Sequence, residues 1–538
     1  MLTITDVSLQ FAGDLLYKHV DLLFQSGHCY GIIGANGAGK STLLRIISGD
    51  LTPTTGSVTI TKEDRMSVLE QDHFKFDDFP VIDTVIMGNR KLYDIMKEKE
   101  RLYAKPDFSD ADGERAAVLE GEFAEMNGWD AETEAAQLLN GLGVRPELHT
   151  ALMGSLDGRL KVKALLAQAL FGRPSLILLD EPTNGLDVES TEWLEEFLID
   201  CDAIVIVVSH DRHFLNAVCT NIVDVDHATC KMYAGNYDFW YESSQLFQQL
   251  MRNQNKKRDE KIRDLQEFIR RFSANKSKSK QATSRKKILD SIQLDEMPAS
   301  SRKSPYVGFE PEREAGKDIL FVEGLTRTEG GVKVLDNVTF TVAKGDKIAF
   351  VGDNEAGATA LFRILAGEIE PDAGTFRWGV TITHSDFPKD NTRFFEHFDG
   401  SLIEWLRQYS LDQTETYLRG FLGRMLFSGD EVYKPARVLS GGEKVRCMLS
   451  RLMMSKANAL ILDQPTDHLD LESITALSAG LVAYPGNLFF ASHDHQFIDE
   501  VANRIIEIPA DAPGCMDRAG TFEEFLAWKH GRGAQGNR

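Results

Sequence analysis

The sequence predicts an α/β protein made of two tandem phosphate-loop domains joined by a basic helical linker. Motifs recur in one order in both halves. Gly-Ile-Ile-Gly-Ala-Asn-Gly-Ala-Gly-Lys at 31–40 returns as Ala-Phe-Val-Gly-Asp-Asn-Glu-Ala-Gly-Ala at 349–358. Leu-Leu-Asp-Glu-Pro-Thr-Asn-Gly-Leu-Asp at 178–187 returns as Ile-Leu-Asp-Gln-Pro-Thr-Asp-His-Leu-Asp at 461–470, and Val-Ser-His-Asp at 208–211 as Ala-Ser-His-Asp at 491–494. Three ordered matches mark a duplication. Short β-branched or Leu-rich runs at 175–179 and 203–208 read as strands buried on both faces of a sheet. Between the copies the charge reverses: 252–287 holds 14 Lys or Arg against four acids, in a chain of net charge −22.

At 538 residues the chain exceeds one hydrophobic core. The boundaries read as a first domain over 1–245, the linker over 246–310, a second domain over 311–530 and a flexible tail over 531–538. The acidic balance excludes a surface that coats nucleic acid uniformly and leaves room for a local basic patch. Six cysteines without a Cys-x-x-Cys pair point away from zinc or a disulfide framework and toward a reducing, cytoplasmic compartment. No run of about 18 apolar residues occurs, so no membrane span is expected.

The first domain opens with strand residues 30–33, then Gly34, Ala35, Asn36, Gly37, Ala38, Gly39, Lys40 and Ser41, then a helix from Thr42. That strand–loop–helix context gives the Gly-x-x-x-x-Gly-Lys-Ser spacing its meaning. Glycines let backbone N–H groups converge on phosphate oxygens, Lys40 brings charge to the β- and γ-phosphates, and the Ser41 hydroxyl suits Mg2+.

The interval from Gly34 to Asp180 exceeds that from Gly352 to Asp463 by about 35 residues, room for a helical hairpin. It is expected at 90–127, with Leu92, Ile95, Met96, Leu102 and Tyr103 on one stripe, a break at Pro106, and Ala117, Phe123 and Met126 beyond. Either it projects as an arm or it packs only on its own domain. Asp180 and Glu181 then end an apolar strand side by side, one suited to Mg2+ and the other to orienting or deprotonating water. His210 closes another strand, as a γ-phosphate contact or as a structural histidine.

This constellation resembles the ATP-binding-cassette superfamily over both halves, and Leu439, Ser440, Gly441, Gly442 and Glu443 match its Leu-Ser-Gly-Gly signature. The resemblance implies two tandem ABC-type P-loop ATPase domains in a head-to-tail sandwich, each ATP lying between one phosphate loop and the opposite signature. Site one would combine Gly34–Thr42, Gln71, Asp180, Glu181 and His210 with Ser440, Gly441 and Gly442. In it Glu181 and His210 are catalytic, and Ser41, Gln71 and Asp180 hold Mg2+. Phe11 is a weaker candidate for stacking on adenine, or a core aromatic.

Site two departs from the pattern. Ala358 replaces the lysine, Thr359 the serine, Glu355 a loop glycine and Gln464 the glutamate, while Asp463 and His493 remain. The opposing signature reads Leu156-Asp157-Gly158-Arg159-Leu160. Phe387 is expected where the Mg-contacting glutamine belongs, and Glu329 where the adenine aromatic belongs. The lost charge and added carboxylate disfavour an anion, and an amide is no base at neutral pH. Site two is either a scaffold that presents Ser440 or a residual ATP binder.

Tandem cassettes without membrane spans, an inserted hairpin and a basic linker together resemble the ABC-F family of ribosome-associated ATPases. Residues 272–285, Phe-Ser-Ala-Asn-Lys-Ser-Lys-Ser-Lys-Gln-Ala-Thr-Ser-Arg, resemble the linker of its YbiT-like branch. That implies a monomer acting on ribosome, tRNA and rRNA through the arm and linker. Lys256, Lys257, Arg258, Arg270, Arg271, Lys276, Lys278, Lys280 and Arg285 are candidates to neutralise RNA phosphates, the plain alternative being a solvated charge run. Competing classes are a transporter motor, a DNA-associated ATPase and a pseudo-ATPase with structural ATP. The first lacks a reason for the linker, the second lacks zinc cysteines and long coiled coils, and Glu181 argues against the third.

Overall fold

A computed structural model describes residues 1–11, 14–35, 37–61, 65–69, 72, 74–247, 249–250, 267, 302, 304–510 and 512–536. The first half comprises β1 (Leu2–Phe11), β2 (Asp14–Phe24), β3 (His28–Ile33), β4 (Thr55–Ile60), β5 (Met66–Val68), β6 (Leu176–Asp180), β7 (Ile204–Val208), β8 (Asn221–Asp226) and β9 (Thr229–Ala234). The second comprises β10 (Leu320–Glu329), β11 (Val332–Val342), β12 (Lys347–Val351), β13 (Ala373–Trp378), β14 (His384–Phe387), β15 (Ala459–Asp463), β16 (Asn487–Ala491), β17 (Arg504–Glu507) and β18 (Met516–Ala519).

Each half builds the same two sheets. A six-stranded sheet runs β5-β6-β7-β3-β8-β9 in one half and β14-β15-β16-β12-β17-β18 in the other, parallel except for its last strand. A three-stranded antiparallel sheet runs β2-β1-β4, matched by β11-β10-β13. The central strands β6 (Leu-Ile-Leu-Leu-Asp), β7 (Ile-Val-Ile-Val-Val) and β15 (Ala-Leu-Ile-Leu-Asp) carry no polar residue before their C-terminal ends because both faces are covered. Polar chemistry is thereby confined to the loops beyond those ends, where open α/β sheets bind ligands.

The helix Lys40–Ser48 buries Leu43, Leu44, Ile46 and Ile47 in one core with β1, β2 and β3. Each such side chain contributes about 1.5–3 kcal/mol by leaving water. The opposite sheet face is covered by helices including Gly158–Leu170 and, further out, the pair Arg90–Tyr103 and Asp110–Glu125. That pair buries Leu92, Ile95 and Leu102 against Ala116, Leu119 and Phe123, a seam continuous with the domain core.

Two residues assigned to the hairpin stripe lie outside: Ala117 is exposed, and so is Tyr103, which stacks on Phe108 at 6.2 Å and donates to Glu120 Oε1 at 3.1 Å. The phenol at the helix end finds polar partners there that a core position would deny it.

The structure moves two of the expected boundaries. Val307 and Phe309 sit in the core of the second half, so the strap 304–310 belongs to that domain rather than to the linker. The helix Phe522–Gly536 runs through most of the stretch expected to be a tail.

The halves meet face to face. Leu471 enters the first core and Val188 packs on the second. Arg212 Nη2 reaches Glu500 at 3.0 Å, and the His213 and His495 rings lie 4.2 Å apart. Asp211 and Asp494 cap matching short helices at this contact, accepting from Phe214 N and Phe497 N. Burial, and the charge of Asp494 beside it, push the Asp211 carboxyl up to about 7. No helix among the described residues is long and apolar enough to cross a membrane.

Candidate functional site

The phosphate loop leaves β3 and enters its helix through Gly39, whose φ of 102° is left-handed. A Cβ there would lie 2.5 Å from Tyr17 Oη, and the buried Tyr17 hydroxyl donates to the Gly39 carbonyl. A Cβ at Gly34 would lie 2.6 Å from Val225 O. These glycines are required for a backbone cradle held against its neighbours. Lys40 is buried at the helix start, its Nζ donating to Gly34 O at 2.9 Å and Ala35 O at 3.3 Å. Burial lowers its pKa, opposed by Glu181, Glu472, Asp470 and Asp180. Ser41 is exposed on the first turn and Thr42 half-buried. Asn36 and Gln71 lie outside the described residues, and Phe11 ends β1 with its side chain also outside them.

Asp180 ends β6, and Glu181 follows with φ 52°, its N–H donating to Val208 O at 2.8 Å. This left-handed step holds Glu181 beside His210: the His210 N–H donates to Glu181 Oε2 at 3.2 Å, and Nε2 lies 3.3 Å from Oε1. Burial raises the Glu181 carboxyl to about 8, and burial with the charge of Lys40 lowers His210 to about 4. His210 Nδ1 is buried with no hydrogen-bond partner among the described residues. A buried ring nitrogen, an ammonium resting on loop carbonyls and a glycine cradle form a donor set that fits a phosphate chain.

The signature lies across from this loop. Ser440 caps the helix Gly441–Ser455, accepting from Glu443 N at 3.4 Å while its own N–H donates to Glu443 Oε2 at 2.6 Å. Ala35 and Gly37 share an open cleft of about 1250 Å³ with Ser440 and Gly442. A neighbouring cleft joins Glu181 and His210 to Gly441 and Gly442. The first cleft also contains Asp470, the last residue of the 461–470 repeat, together with Arg302 and Glu472, which no motif announced. Arg302 bridges Asp224 at 2.5 Å and Glu472 at 3.2 Å, one carboxylate from each half.

Site two has the same backbone and different chemistry. Gln464 repeats the left-handed step at φ 53°, its N–H donating to Ala491 O at 3.0 Å. Thr359 Oγ1 donates to Asp463 Oδ2 at 2.8 Å, and Gln464 Nε2 lies 3.1 Å from His493 Nε2. Ala358 is buried in the apolar core. Glu329 ends β10 as Phe11 ends β1, and pairs with Arg363 at 3.3 Å. Glu355 contacts Lys389 at 2.6 Å and also meets Arg159 and His493.

Strand register corrects one expectation. Val68 pairs with Leu178, two residues before Asp180, and Asp386 with Ile461, two residues before Asp463. Gln71 therefore corresponds to Lys389, while Phe387 is buried in the core. Motif counting slipped because no recognisable sequence flanks that strand. The Asp157 carboxylate is turned onto its own helix, where Oδ1 accepts from Arg159 N at 3.0 Å and Leu160 N at 2.9 Å, so it serves as a cap. Lys256, Lys257, Arg258, Arg270, Arg271, Lys276, Lys278, Lys280 and Arg285 lie outside the described residues.

Comparison with known proteins agrees with this geometry. A family model described as ABC transporter matches residues 17–184 and 335–467, and a second of the same description matches 223–309. The chain is 60% identical over 527 residues to the "Uncharacterized ABC transporter ATP-binding protein YkpA" of Bacillus subtilis (strain 168), covering 98% of this chain and 97% of that protein. It is 42% identical over 530 residues to the "Probable ATP-binding protein YbiT" of Escherichia coli O157:H7, covering 98% and 99%. A solved complex of an archaeal ribosomal stalk protein with the archaeal ribosome recycling factor aABCE1 shares the tandem fold at TM-score 0.62 and 18% identity, over 97% of this chain and 92% of that one. With two ATP-binding-cassette domains and relatives of this kind along its length, the chain belongs to the ABC-F family of ATP-binding-cassette proteins.

Proposed function

We propose that the chain is an ATP-gated translation factor that hydrolyses ATP at one composite site and acts on the ribosome through its basic linker. One observation carries the catalytic part: Ala35 and Gly37 of the phosphate loop share a cleft with Ser440 and Gly442. In this reading the loop N–H groups and Lys40 bind the β- and γ-phosphates, and the capped helix at Ser440 closes on the γ-phosphate from the second cassette. His210 orients the terminal phosphate, and Glu181 takes the proton of the attacking water. Ser41, Gln71 and Asp180 would hold Mg2+, which would supply positive charge to offset that of the phosphates.

The ribosomal part rests on ABC-F membership and on the charge of 252–287. Closure around ATP would set the linker, roughly 246–303, against ribosome-bound tRNA, with Arg302 tying its end to both cassettes. Hydrolysis then permits release. The hairpin supplies a second contact, to rRNA or ribosomal protein.

The test is Glu181→Gln. It is expected to bind ATP, lose turnover by about 100-fold or more and cosediment with ribosomes only when ATP is present. Unchanged turnover sinks the catalytic assignment, and comigration with membranes instead of ribosomes sinks the translational one.

A further inference from the structure

We propose that site two is an anion site filled by the chain's own carboxylate: Glu355 stands in for a terminal phosphate and joins Arg159 of the first cassette to Lys389 and His493 of the second. Three aligned positions carry this. Lys389 corresponds in strand register to Gln71, His493 corresponds by motif to His210, and Arg159 corresponds to Gly442 of the signature. In site one, His210 and the signature are assigned to the γ-phosphate and Gln71 to the Mg2+ beside it. In site two all three meet one side chain, that of Glu355, which is 12% exposed.

The remaining polar groups agree. Where site one has a lysine, Ala358 adds no charge and packs in the core. Thr359 and Asp463, the pair corresponding to Ser41 and Asp180, bond to each other at 2.8 Å. A carboxylate fixed to the loop needs no binding step, so its contact with Arg159 persists whether or not ATP is bound elsewhere. Charge-assisted pairing of a largely buried carboxylate is strong, and removal of Glu355 leaves both Arg159 and Lys389 without this counter-charge. Site two would thus act as a standing joint about which site one opens and closes.

The inference builds on the reading of site two as a non-hydrolysing site, but its readout needs no nucleotide. Amide hydrogen exchange of the full chain without nucleotide is compared for wild type, Glu355→Ala, Glu355→Gln and Arg159→Ala. The expected result is exchange faster by about tenfold or more at both 160–166 and 358–364 in Glu355→Ala and Arg159→Ala. Glu355→Gln should be intermediate, the double variant no faster than the faster single, and 43–48 unchanged as the folding control. The clamp is overturned if Glu355→Ala affects only 358–364, as loss of a helix-end charge would, or if wild-type protection at both segments arises only on adding ATP. Either result leaves the assignment of site one standing.

Discussion

At the scale of single residues, geometry separates positions that alignment treats alike. Gly39 combines φ 102° with a Tyr17 hydroxyl 2.5 Å from where a Cβ would stand. Gly39→Ala is expected to destabilise the fold by about 1–3 kcal/mol, seen as a lower thermal midpoint, and to weaken ATP binding by calorimetry. Ala358→Lys is expected to leave steady-state turnover unchanged, because Gln464 still lacks a base and Glu355 still holds Arg159. A doubling would refute the account of site two. The glycines, Lys40, Asp180, Glu181 and the signature were legible because each has a chemical reason at fixed spacing. Lys389 and Arg159 were not, since their partner Glu355 is distant in sequence.

At the scale of elements, the inserted helices Arg90–Tyr103 and Asp110–Glu125 illustrate what periodicity supplies. Their existence follows from apolar spacing and from caps at Asn89 and Ser109. Which flank of each faces inward is decided by the partner helix, and so Tyr103 and Ala117 point out while Leu119, with no exposed surface, points in. Leu119→Ala is expected to cost about 2–5 kcal/mol in chemical denaturation, without a matching loss of ATP affinity, because the seam lies away from the phosphate loop.

For the whole molecule, the contact between cassettes sets the conditions under which the proposed composite site could form. Asp211 is central to it, with Asp494, Arg212, His213, Glu195, His495 and Glu500 nearby. Its folded pKa of about 7 exceeds the ordinary carboxylate value, so the folded state binds more protons than the unfolded one between those limits. Stability from this group is therefore full below the ordinary carboxylate pKa and lost as pH rises through about 7. Asp211→Asn is expected to flatten that part of the pH dependence of the thermal midpoint, measured from pH 5 to 8 beside wild type. By itself the sequence determined the duplication, the α/β class and the chemistry of each motif, because those depend on local spacing and on residue type. The resemblance implied that the loop at Ala35 faces Ser440; only the tertiary structure decided that Lys389 rather than Phe387 replaces Gln71, and that Glu355 meets three groups from two domains. Such pairings depend on strand register and domain contact, which bring together residues that no local pattern connects.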